Sequence, residues 1–161
     1  MANVKAIPES YHSVTPSIIV NDTKKAIDFY KRAFGAVENG IFVGPNGKVM
    51  HADITIGNSH VMLCDEMPEM KAFSPATLKG SPASLWIYTE NADALFERAV
   101  KAGAQIKMPL ADAFWGDRWG SLADPFGYHW SIATRKENLL PEETKKRGEE
   151  FFASMKSKCQ Q

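Results

Sequence analysis

Cysteine, net charge and long apolar runs are what this 161-residue sequence is short of, and each shortage removes a class of protein. There are two cysteines, Cys64 in an apolar strand-like run and Cys159 in a polar tail, so neither a Cys-x-x-Cys redox pair nor a disulfide framework can be built. Basic and acidic residues balance at 19 each, and a formal charge of +0 leaves no basic field to hold a nucleic acid or an anionic membrane. No apolar run approaches the ~20 residues of a membrane-spanning helix. Met1 to Ser10 lacks the basic region and apolar core of a signal peptide. The expectation is a soluble cytoplasmic protein. What is present, 44% hydrophobic and 11% aromatic residues, suffices for one compact domain or two fused half-sized modules.

The segment Thr15 to Val20 is apolar and β-branched and runs into Asn21-Asp22-Thr23, all able to cap a helix N-terminus. Ala26, Ile27, Tyr30, Ala33 and Phe34 then recur at three and four residue spacings, and Gly35 supplies a left-handed stop, which predicts a helix over Thr23 to Phe34. Runs at Val37 to Val43, Val49 to Ile56 and Ser59 to Cys64, separated by turn residues, complete a βαβββ unit. The same order returns in the second half. Ser84 to Thr89 reads as a strand, Asn91 as a cap, Ala92 to Ala102 as a helix and Gly103 as its stop. Ile19 and Ile87 lie 68 residues apart, and that offset also matches Asp22 with Glu90, Ala26 with Ala94, and Gly35-Ala36 with Gly103-Ala104. The near-constant spacing points to duplication.

The predicted organisation is therefore an extension (1–13), a first module (14–66), a proline-bearing linker (67–82), a second module (83–135) and a tail (136–161). The linker is long enough to let one module reach a partner chain. In the tail, Pro141, the acidic Glu142 and Glu143, and the basic Lys156 and Lys158 suit a helix whose dipole they complement. Glu142/Lys146 and Glu143/Arg147 are i,i+4 pairs, and Leu139, Leu140, Phe151, Phe152 and Met155 give an apolar side for packing on the domain or on a dimer mate.

Period-two alternation splits each strand into two faces. One is aliphatic, with Ile18, Val20, Ala52, Ile54, Ile56, Val61, Leu63, Leu85, Ile87, Trp130 and Ile132, and should lie under the helices. The other carries Thr15, Ser17, His51, Asp53, Thr55, His60, Met62, Cys64, Ser84, Trp86, Tyr88, His129 and Ser131. Polar and aromatic groups thus converge on the uncovered side, the make-up of a small-molecule site if the sheets curl. His60 and His129 occupy matching places and are candidates for proton transfer, metal ligation or anchoring a ligand oxygen, with water-facing cleft histidines as the plainer reading. His12 reads as surface. In Phe114-Trp-Gly-Asp-Arg-Trp-Gly120, the glycines permit close approach, the indoles offer flat contact and Arg118 can hold an anionic group, unless Asp117 pairs with Arg118 and the tryptophans fill the core. Asp124-Pro-Phe-Gly127 fits a structural type I turn.

Two βαβββ units, the opening Ile19-Val-Asn-Asp22 with Ala26-Ile-Asp-Phe-Tyr30 and Ala33-Phe-Gly35, and the closing Asp124-Pro-Phe-Gly-Tyr128 resemble the vicinal oxygen chelate superfamily. That group holds glyoxalase I, bleomycin-resistance proteins, fosfomycin-modifying transferases and extradiol dioxygenases. The Trp-Gly-Asp-Arg pattern is similar to that of its uncharacterised bacterial glyoxalase-like members. The resemblance implies an α+β fold of paired modules forming a cupped mixed sheet, here with a C-terminal helix, often completed by dimerisation.

Metal-using members place imidazole, amide or carboxylate ligands at inner-face positions that here fall on Thr15, Met62, Ser84 and Ser131. Hydroxyls and a thioether are poor ligands for Zn²⁺, Ni²⁺ or Fe²⁺, so the usual metal is expected to be missing. Bleomycin-type sequestration of a cationic drug would have only Asp53, Asp65 and Glu66 as an acidic rim. The leading expectation is a homodimeric small-molecule binding protein whose cavity is lined by Thr15, Ser17, His51, His60, Trp86, Tyr88, His129 and Ser131, with Arg118 on an anionic or oxygen-rich end of the ligand. A metal-dependent lyase, isomerase or dioxygenase acting on a vicinal-dioxygen substrate, with His60 or His129 as general base, stands second. An interaction module with a self-filled cleft stands third.

Overall fold

The computed structural model describes residues 4–158; Cys159 and the side chains of Lys156 and Lys158 lie outside the described residues. The first module comprises β1 (Ser17–Val20), α1 (Thr23–Phe34), β2 (Val37–Val43), β3 (Val49–Ile56) and β4 (Ser59–Asp65). The second comprises β5 (Ser84–Tyr88), α2 (Ala92–Ala102), β6 (Gln105–Asp112), β7 (Asp117–Ala123) and β8 (His129–Arg135). Each folds into a four-stranded sheet, in the orders β1-β4-β3-β2 and β5-β8-β7-β6, so the expected α+β architecture of two βαβββ modules holds. The first and last strands of each module pair in parallel and the rest antiparallel, leaving β1 and β5 as edges.

Both helices begin and end where their chemistry dictates. The Asp22 carboxylate accepts from Lys25 N and the Asn91 amide oxygen from Ala94 N, while Gly35 (φ 71°) and Gly103 (φ 116°) take the left-handed conformation that closes each helix. The helices then lock each other's ends. Arg98 on α2 donates to the Arg32 and Lys31 carbonyls at 2.7 and 2.9 Å, and Arg32 on α1 donates to the Ala102 carbonyl at 3.1 Å. Each guanidinium therefore meets the negative end of the opposite helix.

The two modules share one core. Ile18, Val20, Ile54 and Leu63 from the first sheet and Leu122, Trp130 and Ile132 from the second are buried together around Phe29, Tyr30 and Phe34 of α1. The Trp130 ring lies 5.3 Å from Tyr30 and 4.7 Å from Phe34. The Asp124–Gly127 turn clamps this junction. Asp124 Oδ1 accepts from the Phe126 and Tyr128 amides at 2.9 Å each, and Oδ2 accepts from Tyr30 Oη at 2.7 Å and Trp130 Nε1 at 2.8 Å. Burial pushes the Asp124 carboxyl up, against these hydrogen bonds that favour its charged form. Tyr128 Oη meets both the Ile19 amide and the Ile19 carbonyl at 3.0 Å, tying the second module to β1.

The segment between the modules is more ordered than a plain linker. It holds a short 3-10 turn (Pro68–Met70) and a one-turn helix (Pro75–Leu78), and Glu66 Oε1 accepts from Ser74 N at 2.6 Å. Pro75 sits so close to Gly127 that a Cβ there would come within 2.8 Å of it. The tail forms α3 (Pro141–Lys158). Of its expected ion pairs, Glu143–Arg147 forms at 2.9 Å, and Arg147 also reaches Glu137 at 3.0 Å. Phe151 and Phe152 pack against Phe114 at centroid distances of 5.4 and 5.9 Å.

Candidate functional site

Because β1 and β5 are edges and the helices hold the modules together from the other side, a cleft opens where the two sheets meet. It encloses about 520 Å³, within the range of small-molecule sites. Thr15, Ser17, Ser59 and His60 line it from the first module, Ser84 and Trp86 from the second, and Ile18, Ile56, Ile87 and Trp130 supply apolar surface. His12, expected as plain surface, is exposed and also lines the cleft.

On the first module's inner face, Asp53 collects a polar cluster. Its Oδ1 accepts from His60 Nδ1 at 2.8 Å and from the Asn39 amide, and its Oδ2 accepts from Tyr11 Oη at 2.5 Å. Asn39 also donates to Thr55 Oγ1 at 2.7 Å. The Tyr11 ring stacks on His60 with centroids 3.9 Å apart and planes 16° from parallel. Burial alone would raise the Asp53 carboxyl; the bonds from Asn39, Tyr11 and His60 outweigh it and hold the carboxyl below its usual range. The same bond to Asp53 pushes the Tyr11 phenol up.

The second module's inner face is aromatic. Trp86 stacks between Tyr88 and Trp119 at 6.2 and 6.0 Å, and Trp115 meets Trp119 edge-on at 5.5 Å. Tyr88 Oη and Trp115 Nε1 both donate to Asp117 Oδ2, at 2.8 and 3.0 Å, which raises the Tyr88 phenol. Trp119 Nε1 is buried without a hydrogen-bond partner among the described residues. Trp86 is 48% exposed and Tyr88 63%.

Of the residues expected to bind ligand, Thr15, Ser17, His60 and Trp86 come together in the cleft. Ser131 is buried in register between Trp86 and Ser121, and Tyr88 lies further along the aromatic row. His51 is exposed opposite Phe42, and His129 is exposed opposite Ser84, so neither reaches His60. Arg118 departs from its expected place. It faces the helix layer, where Asp93 of α2 takes its Nε and Nη2 at 2.7 and 2.6 Å and Asp112 takes Nη1 at 3.3 Å. Both carboxylates balance its charge there, and it does not line the cleft. Sequence reasoning passed over Ser10, Tyr11 and Asn39, and read Trp119 only as one of two indoles offering flat contact. Alternation along β7 flags Trp119, since it shares a face with Asp117, but nothing local flags Asn39, which sits at a register shift between Glu38 and Gly40.

The donor chemistry does not fit the superfamily's divalent ion. Thr15, Met62, Ser84 and Ser131 offer hydroxyls and a thioether, and among the described residues no group of three or more His, Cys, Asp or Glu is arranged to hold a metal.

Comparison with known proteins agrees with the fold. The model of the Glyoxalase/Bleomycin resistance protein/Dioxygenase superfamily matches residues 11–132. An uncharacterised protein of Mycobacterium bovis is 45% identical over 123 residues, spanning 74% of this chain and 81% of its relative. The X-ray structure of an Arabidopsis thaliana gene product is 30% identical with a TM-score of 0.60, over 76% of this chain and 98% of that one. The fosfomycin resistance protein FosX from Mesorhizobium loti is 16% identical with a TM-score of 0.58, over 83% and 95% of the two chains, a likeness of fold alone.

Proposed function

Since the chain belongs to the glyoxalase/bleomycin resistance/dioxygenase superfamily, we propose that it binds a small oxygen-bearing molecule in the cleft between its modules without a divalent metal. One observation carries this reading: a cleft of about 520 Å³ has hydroxyl and imidazole groups on one wall and an exposed indole on the other. A flat ligand stacks on Trp86 and hydrogen-bonds across to Ser17 and His60.

The reading includes a homodimer. Val37 and Phe42 on the first sheet are 61% and 63% exposed, and Met108 on the second is 50% exposed, so both inner faces present apolar side chains that a second copy would cover. No helix among the described residues is long and apolar enough to cross a membrane.

Native mass spectrometry of protein purified through a chelator tests both parts. A dimer retaining a small organic mass, lost in Trp86→Ala, supports the proposal. Retention that depends on stoichiometric Ni, Zn, Mn or Fe would overturn it.

A further inference from the structure

The extension ahead of β1 brings a serine onto the polar cluster. Ser10 Oγ lies 2.9 Å from His60 Nε2, and His60 Nδ1 lies 2.8 Å from Asp53 Oδ1. We propose that Ser10, His60 and Asp53 form a nucleophilic triad that cleaves small aryl esters by acyl transfer, an activity that goes beyond ligand binding and rests on the same cleft, sharing His60 and Trp86 with it.

Four features support this assignment. The Asp53 carboxylate can only accept, so His60 Nδ1 carries the hydrogen and Nε2 of the neutral ring is left as the base toward Ser10. Asp53 is held by Tyr11 on Oδ2 and by Asn39 on the Oδ1 it shares with His60, and the His60 ring is pinned by the stacked Tyr11, so orienter and base are fixed in place. Accessibility is graded as the chemistry requires: the Asp53 and His60 side chains are 9% and 10% exposed, whereas Ser10 is open to solvent. Ser10 also adopts φ 67°, a left-handed backbone that is strained for a residue with a Cβ, and such strain concentrates at working sites.

The step balances without any other reactant than water. The Ser10 hydroxyl hydrogen rotates from the Glu9 carbonyl, 2.5 Å away, toward His60 Nε2. Oγ bonds to the ester carbonyl carbon as its proton passes to Nε2. The carbonyl re-forms, the bond to the phenoxide breaks, and Nε2 returns the proton to that leaving group. Water then attacks the acyl-serine with Nε2 again as base, releasing a carboxylic acid and restoring Ser10. Aryl esters are the class indicated because His60 and Trp86 line the same cleft, which gives the aromatic leaving group an indole to lie on.

The full chain is treated with a fluorophosphonate probe and the adduct mapped by peptide mass spectrometry, alongside p-nitrophenyl acetate turnover. The expected result is one adduct on Ser10, absent in Ser10→Ala and unchanged in the neighbouring Ser13→Ala. Labelling should slow about 100-fold or more in His60→Gln, and Asp53→Asn should also slow it, with circular dichroism confirming that both fold. No adduct on the wild type, an adduct that survives Ser10→Ala, or labelling indifferent to His60→Gln would overturn the proposal. These outcomes are separate from ligand retention, which Ser10→Ala should leave intact.

Discussion

The two modules repeat the same strand order, the same side-chain caps and the same left-handed glycine stops, yet their inner faces carry opposite chemistry. The first gathers Asp53, His60, Asn39 and Thr55 into one bonded cluster, and the second sets Tyr88, Trp86, Trp119 and Trp115 in a row. Their β-turns differ as well. The β3–β4 connection is the exposed pair Gly57-Asn58, while the β7–β8 connection buries Asp124 among four donors. The outer faces share one core and keep their aliphatic pattern; the inner faces lie outside that core and differ. A cleft bounded by one polar and one aromatic wall is the product of that divergence.

The sharpest break in the comparison is at the turns. Asp124→Ala removes the acceptor for Tyr30, Trp130 and two amides in the shared core, and should cost at least about 3 kcal/mol of stability. Asn58→Ala in the equivalent turn should stay within about 0.5 kcal/mol. Urea midpoints of the two variants decide it, and equal losses would erase the asymmetry. Next in size is the aromatic wall. Trp86→Ala should weaken ligand binding about tenfold or more, with little loss of stability because the ring is already 48% exposed. Isothermal titration and thermal melting separate those effects.

The polar wall carries a pH signature. Bonds from Asn39, Tyr11 and His60 lower the Asp53 carboxyl despite its burial. A lowered folded value means the contribution is whole above the unfolded aspartate value of about 3.9 and is lost as pH falls through the folded one. Between pH 6 and pH 3, wild type should therefore lose more stability in urea than Asp53→Asn, and parallel curves would contradict that wiring. The smallest effect belongs to Arg118→Ala. Its partners Asp93 and Asp112 are on the helix side, so ligand affinity should not change; a marked loss would return Arg118 to the site.

How much of this was legible in the sequence follows from which forces act locally. Helix limits were readable because Asp22, Asn91, Gly35 and Gly103 act within one turn of their own positions. Sheet faces were readable because alternation is geometric, yet the cleft takes Ser17, His60 and Trp86 from one face and Ile18, Ile56, Ile87 and Trp130 from the other. What escaped is non-local. Tyr11 and Ser10 reach the cluster only because the extension folds back across β3 and β4, a contact spanning 42 residues for Tyr11 and 50 for Ser10. Arg118 was read as holding a ligand or pairing with its neighbour Asp117, because its partner Asp93 lies on a helix 25 residues earlier. Asn39 enters through a bulge that breaks the alternation used to assign faces.

The proposed metal-free binding of one ligand by both walls is tested most directly by thermal shift in the presence of a chelator. A panel of small aromatic and oxygen-rich compounds is screened against chelator-treated wild type and Trp86→Ala. At least one compound should raise the wild-type melting temperature with saturating concentration dependence and fail to do so in the variant. Stabilisation that appears only after a divalent metal is restored, or that survives loss of the indole, would contradict it.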